Sequence, residues 1–348
     1  MAQKTLAVKY RPKTFDDVTE QGSIKIILQQ QLRSEEIKNA YLFCGPAGCG
    51  KTTCARIFAS EINKGQGNPI EMDAASNSGV EDVRNIIQQA QTKSLDSEYK
   101  VFIIDECHSI SNTGWQAFLK LIEEPPAKSI FIFCTTDPQK IPRTILSRVQ
   151  RYDFTKISQQ GIVDRLRYIF DVEYANSEEA LLRLEALEYI AKIAEGGMRD
   201  AISLMDKALA YSAELTLENV VQALGTTDYD TMFNLAKSIL FEQEKAIECV
   251  ENINNAGKDL KQFVKQFTQF LIDVQKYDIL GEKAWQYINI PKLNTYEKEL
   301  EEFDRDTYSM LLDLLNEFVR LNASIKYSSV PKYDIEASIL LFGVKEEE

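Results

Sequence analysis

Gly45-Pro46-Ala47-Gly48-Cys49-Gly50-Lys51-Thr52 fits the pattern GxxxxGK[ST] in full. It follows a short apolar run, Tyr41–Cys44, and opens a stretch of helical periodicity, Thr52–Asn63. Strand, glycine-rich turn and helix in that order make a loop whose backbone N–H groups, with the positive end of the helix dipole, face a phosphate. The glycines permit the curl, Lys51 neutralises charge on the β- and γ-phosphates, and the Thr52 hydroxyl ligates Mg2+. A glycine-rich loop can arise by chance. Between a strand and a helix it sets the N-terminal part of the chain as an α/β fold.

A second element lies downstream: Val101-Phe102-Ile103-Ile104 is a strand-like run that ends in Asp105-Glu106. Asp105 suits a Mg2+ held through Thr52 or water, and Glu106 can polarise the attacking water. Taken alone, Glu106 reads equally as a solvated loop carboxylate. His108, the only histidine, follows two positions later. Hydrolysis of a phosphoanhydride of this kind needs no histidine base, so a structural or supporting role is expected of it. A third apolar run, Ile130–Cys134, leads into Thr135-Thr136-Asp137-Pro138. A polar side chain there either reaches the γ-phosphate beyond the strand end or caps a helix. Ser147-Arg148 and Gly197-Met198-Arg199-Asp200 each place an arginine near a helix start or a domain junction. Such arginines are either surface ion pairs or contacts to a γ-phosphate, the latter often delivered by a neighbouring molecule.

Up to about residue 155 strand-like runs alternate with the helical stretches Ile24–Arg33, Thr52–Asn63, Val80–Thr92 and Gly114–Glu124, the pattern of a parallel sheet covered on both faces. Beyond Phe154 the strand signals stop. Gly161–Tyr174, Ser177–Glu195, Arg199–Ala213 and Leu217–Leu224 read as helices. Gly225-Thr226-Thr227-Asp228 reads as a linker before a further helical block: Tyr229–Leu240, Glu244–Asn254, Leu260–Leu280, Thr295–Asn322 with a candidate break, and Ile335–Phe342.

The 348 residues are enough for two or three domains. Forty Lys and Arg against 53 Asp and Glu leave a net charge of −13, so any nucleic-acid contact must come from a local surface or from several subunits pooling small contributions. The six cysteines form no CxxC pair, which predicts reduced thiols without a disulfide frame or zinc finger. With no apolar run near about 18 residues and no apolar core in the N-terminal segment, a cytoplasmic location is expected.

Further motifs complete an ordered set: Lys9-Tyr10-Arg11-Pro12 with Thr14-Phe15, the loop at 45–52, Asp105-Glu106-Cys107-His108, Glu123-Glu124-Pro125-Pro126, Thr135–Pro142, Ser147–Arg151 and Gly196–Ala208. Together they resemble the AAA+ clamp-loader ATPases, specifically the bacterial DNA polymerase III gamma/tau type, nearly continuously over residues 4–225. The resemblance implies an α/β P-loop AAA+ domain (1–157), a small helical lid (158–226) and an all-α collar that joins subunits (227–348). It implies ATP and Mg2+ as cofactors. As nucleotide contacts it implies Arg11, Pro12 and Val18 at the adenine and ribose, then Gly45, Pro46, Ala47, Gly48, Cys49, Gly50, Lys51, Thr52 and Thr53. Thr136, or its neighbour Thr135, takes the place of the first sensor and Arg199 that of the second. Arg148 takes that of an arginine finger acting in trans, and Lys51 and Glu106 complete the catalytic set.

The implied activity is ATP hydrolysis at subunit interfaces that opens a sliding clamp and places it on primer–template DNA. The implied partners are the other subunits of a pentameric loader, the clamp and the DNA, with no membrane. Ser111, Asn112 and Thr113 are DNA-contact candidates, set against a plain helix cap. Three departures from the family pattern stand out. Residues 63–72 carry no cysteine, so no zinc module is expected; the usual SRC signature reads Ser147-Arg148-Val149; and the sequence stops near the collar, which implies no tau extension. A compact form of this kind would suit a phage or otherwise divergent replisome. Two alternatives remain at this level, another DNA-remodelling AAA+ motor and a non-catalytic loader scaffold.

Overall fold

Three runs of bulky apolar residues, each too short for a helix, form the centre of a five-stranded sheet: β1 (Ala40–Cys44), β3 (Lys100–Asp105) and β4 (Ser129–Thr135), with β2 (Ile70–Asp73) and β5 (Gln150–Asp153) outside them. The order is β2-β3-β4-β1-β5 and every pairing is parallel. The computed structural model describes residues 5–77, 79–94, 96–175, 181–224 and 229–344.

β1 and β4 are buried throughout because helices cover both faces of the sheet. Tyr41, Phe43, Ile103 and Ile132 pack towards helices Gly22–Ser34 and Lys51–Ile62. Their neighbours in the pleat, Leu42, Phe102, Ile104, Phe131 and Phe133, pack towards helices Val80–Ala90 and Asn112–Glu123. The inner strands are the ones expected from sequence, each longer by one or two residues. The two edge strands were not expected. Each buries a single residue, Met72 or Tyr152, so neither contains an apolar run to read.

The chain divides into two compact units, Met1–Ala213 and Glu214–Glu348. In the first, the sheet is followed by helices Gln159–Tyr174, Leu184–Ile193 and Met198–Tyr211, which pack on one another. The expected helix Ser177–Glu195 is overturned in its first half. Leu181–Leu182 is extended and Arg183 stays extended, so the helix begins at Leu184, while residues 176–180 lie outside the described residues.

The second unit begins with the two-residue strand Glu214–Leu215 and is otherwise helical among the described residues. Helices Tyr229–Phe241, Gln243–Asn255, Leu260–Leu280, Asn294–Glu301, Arg305–Ser324 and Pro331–Val344 surround a core that includes Phe233, Phe267, Phe270 and Phe318. The long stretch Thr295–Asn322 is indeed broken. Asp304 caps the second piece by accepting the Thr307 N–H at 2.8 Å, which satisfies a helix-end donor that an unbroken helix would not have. The expected linker, Gly225–Asp228, and the last four residues lie outside the described residues. Among the described residues no helix is long and apolar enough to cross a membrane.

Candidate functional site

The loop after β1 turns back through backbone that only glycine adopts freely. Gly45 has φ +152°, and a Cβ there would stand 2.5 Å from the Phe154 carbonyl oxygen. Gly48 has φ +70°, and a Cβ on it would stand 2.9 Å from Gly197 Cα. That close approach lets the Met198 N–H donate to the Gly48 carbonyl at 3.1 Å, so the start of helix Met198–Tyr211 is tied to the loop. Gly48→Ala therefore meets both a clash and a left-handed backbone that costs about 1–2 kcal/mol. The expected result is a lower melting temperature together with at least tenfold (~1.4 kcal/mol) weaker binding of a fluorescent ATP analogue.

Helix Lys51–Ile62 opens at the end of this loop, with no acidic residue in its first turn. Lys51 is only 6% exposed. Its Nζ donates to the carbonyls of Gly45 at 2.8 Å and Pro46 at 2.7 Å, and among the described residues no carboxylate pairs with it. A buried cation without a counter-charge, above a helix N-terminus, is a seat for an anion. Beside it the Thr52 hydroxyl donates to Asp105 Oδ2 at 2.8 Å, bringing the loop to the end of β3. Hydroxyl and carboxylate oxygens side by side suit a hard cation such as Mg2+, which takes its remaining ligands from phosphate and water. Among the described residues no group of three or more His, Cys, Asp or Glu is placed to hold a metal ion.

Glu106 has a left-handed backbone, φ 46° and ψ 42°, at the start of the 3-10 turn Cys107–Ser109. For a non-glycine residue this costs about 1–3 kcal/mol and needs support from its surroundings. The side chain has that support. Its Oε2 accepts the Thr136 hydroxyl at 3.1 Å and stands 3.3 Å from His108 Nδ1. The two adjacent threonines therefore separate. Thr136 faces Glu106, whereas Thr135 is fully buried, with its Oγ1 3.2 Å from His108 Nδ1 and accepting the Asp137 N–H at 3.0 Å. Asp137 in turn caps the short turn Pro138–Lys140.

Lys51, Thr52, Asp105 and Glu106 line a cleft of about 310 Å3, whereas Thr135, Thr136 and His108 stand behind Glu106 and do not line it. Ala47 through Thr53 line it together with Asp105 and Glu106, and with Arg11, Pro12, Val18 and Arg199. Gly45 and Pro46 do not line it and act through their carbonyls on Lys51. Tyr10 and Arg165 also line the cleft and were not expected as site residues. Arg165 Nη2 donates to the Tyr10 carbonyl at 3.0 Å, and the Tyr10 hydroxyl donates to the Glu173 carboxylate. Burial and that acceptor push the Tyr10 phenol up to about 12, so it stays a neutral donor. The Lys9–Arg11 motif is a local signal for Tyr10; Arg165 has none, since its role depends on a partner 155 positions away.

The cysteines are free thiols. Burial raises Cys49 in the loop and pushes Cys54 behind it up to about 12, so both are packing groups and not nucleophiles.

Besides Gly45 and Pro46, five expected residues fall outside the cleft: Thr136, which holds Glu106, then Arg148, Ser111, Asn112 and Thr113. Arg148 is exposed and outside the cleft, its Nη2 2.8 Å from Glu123 Oε1 and its Nη1 donating to the Thr144 carbonyl at 2.8 Å. Ser111, Asn112 and Thr113 are exposed. The helix starts at Asn112, two residues before the expected Gly114, because the Ser111 hydroxyl caps it by accepting the Gly114 N–H at 3.2 Å.

Comparison with known proteins places this geometry in a family. Residues 69–158 match the family model described as DNA polymerase III, delta subunit, and residues 161–214 match DNA polymerase III clamp loader subunit, ATPase lid domain. The chain is 34% identical to the DNA polymerase III subunit tau of Bacillus subtilis, over 98% of this chain and 63% of that protein. It is 29% identical to the gamma/tau subunit of Mycoplasma genitalium, over 89% of this chain and 54% of that protein. With the tau subunit of Escherichia coli the identity is 35%, over 69% of this chain and 40% of that protein. The chain thus spans between 40% and 63% of the length of these relatives. Among solved structures, the RuvB Holliday junction branch migration motor of Thermotoga maritima superposes with a TM-score of 0.51 at 20% identity, over 67% of this chain and 80% of that one, a likeness of fold. The glycine-rich loop, the paired carboxylates at the end of β3 and the matches on both sides of residue 160 converge, and the chain belongs to the AAA+ clamp-loader ATPase family of the DNA polymerase III gamma and tau subunits.

Proposed function

We propose that this chain is an ATP-driven motor subunit of a replication clamp loader. In this reading it opens a sliding clamp and places it on primer–template DNA, hydrolysing ATP at subunit interfaces. The observation that carries the reading is the buried, uncompensated Lys51 beside the Thr52–Asp105 pair and Glu106. Binding of a triphosphate gives Lys51 the anion it lacks, and its Nζ moves from two carbonyls to the β- and γ-phosphate oxygens. Thr52 and Asp105 would hold Mg2+, which supplies neutralisation of the charge that builds on the leaving phosphate oxygens. Glu106 orients the attacking water and accepts its proton as the water oxygen bonds to the γ-phosphorus and the bond to ADP breaks. Thr136 holds Glu106 in place from just beyond β4, and Arg199 reads the γ-phosphate from the start of its helix. Arg148, outside its own cleft, serves the ATP of an adjacent subunit.

The organisation proposed with it is a core over 1–157, a lid over 158–226 and a collar over 227–348, the collar joining subunits into a ring in the cytoplasm. Ser111, Asn112 and Thr113, exposed at the start of helix Asn112–Glu123, would meet a DNA phosphate. Lys51→Ala tests the site. Loss of the charge-assisted bonds to two phosphates is expected to weaken ATP binding by at least ~100-fold, about 3 kcal/mol, while circular dichroism stays that of the wild type. Near wild-type affinity in a folded variant would remove the cleft as the nucleotide site.

A further inference from the structure

His108 is the chain's only histidine, and hydrolysis of ATP gives it no proton to move. Its position is nevertheless constrained. The 3-10 turn that follows Glu106 brings the imidazole back over the carboxylate, with the Ile110 N–H donating to the Cys107 carbonyl at 3.1 Å and the Ser109 N–H to the Glu106 carbonyl at 3.0 Å. Nδ1 then stands between two oxygens, Glu106 Oε2 at 3.3 Å and Thr135 Oγ1 at 3.2 Å. Thr135 cannot drift, because it is fully buried at the end of β4 and its oxygen already accepts the Asp137 N–H.

We propose that His108 is a positioning residue for Glu106, anchoring the carboxylate to the end of β4 through Thr135. An ionised carboxylate only accepts, so the proton sits on Nδ1 and is shared towards both oxygens. The Thr136 hydroxyl holds the same carboxylate oxygen from the next residue of the chain. With both contacts on Oε2, the side chain is pinned at one oxygen and Oε1 is left to take the proton of the attacking water. The strained backbone at Glu106 gives this anchor its purpose: a left-handed glutamate without support would leave that conformation and carry its carboxylate away from the water.

This inference rests on Glu106 as the base, and the test separates the two. Turnover of ATP by the full, assembled chain is measured for His108→Ala, His108→Asn, His108→Gln and Glu106→Gln, with the affinity for a fluorescent ATP analogue and circular dichroism on each. His108→Ala is expected to lower kcat by about 10- to 100-fold, as misplacement of a reacting group does, with KM within about twofold. The amide nitrogen of Asn can occupy the place of Nδ1, so His108→Asn recovers most of the lost rate. The amide of Gln reaches instead to the place of Nε2, so His108→Gln stays slow. Wild-type kcat in His108→Ala overturns the proposal, as does equal behaviour of the Asn and Gln variants. If Glu106→Gln slows turnover while His108→Ala does not, the base stands and only the anchor falls. If Glu106→Gln turns over at the wild-type rate, both fall.

Discussion

Glu106→Gln is expected to bind ATP as tightly as the wild-type chain and to hydrolyse it at least ~100-fold more slowly, the lower bound for removing a general base. The structure says why binding survives. No hydrogen bond or ion pair joins the Glu106 side chain to Lys51 or Thr52, the residues that would meet the phosphates; its carboxylate is held by Thr136 and His108. The Gln carbonyl still accepts the Thr136 hydroxyl, so the side chain keeps its place and loses only its ability to take a proton. The variant should therefore accumulate in the ATP-bound state, which under the proposed function is the state that grips a clamp. Single-turnover hydrolysis alongside equilibrium ATP binding checks this. Turnover at the wild-type rate would mean that another group activates the water.

Arg148→Ala should be as severe by a different route. An arginine finger is worth about 10³–10⁵ in rate, and the variant should lose a factor in that range without losing affinity for ATP in the isolated chain. Arg148 lies outside its own cleft and rests on Glu123 at the end of helix Asn112–Glu123. Both members of that ion pair are well exposed, so the pair is weak and easily exchanged for a phosphate on a neighbour. Mixing Arg148→Ala with Lys51→Ala subunits should then restore part of the activity that neither variant has alone, because in mixed rings an intact pocket meets an intact finger. Turnover measured across mixing ratios reads this directly. No activity at any ratio, in rings shown to be mixed, would rule out catalysis in trans. Full activity of the Arg148→Ala ring would rule out the finger.

What the amino-acid order determined by itself is whatever depends on neighbours along the chain. The glycine-rich loop is legible because glycines at 45, 48 and 50 dictate its backbone, and the three inner strands because both their faces are buried and so read as unbroken apolar runs. Asp105 and Glu106 were legible as the polar end of such a run, and the break near Asp304 as a weak point in a long helix. The edge strands were not, since a strand that buries one residue in four leaves no pattern. Nor was the division of labour between Thr135 and Thr136. Successive residues at a strand end point to opposite sides, and only the packing of β3 against β4 decided which met Glu106 and which met His108. The same holds for Arg165 over Tyr10 and for Gly48 against Gly197. Those contacts join segments far apart in the sequence, and no local propensity encodes them; they exist because burying the apolar faces of sheet and helices brings those segments together.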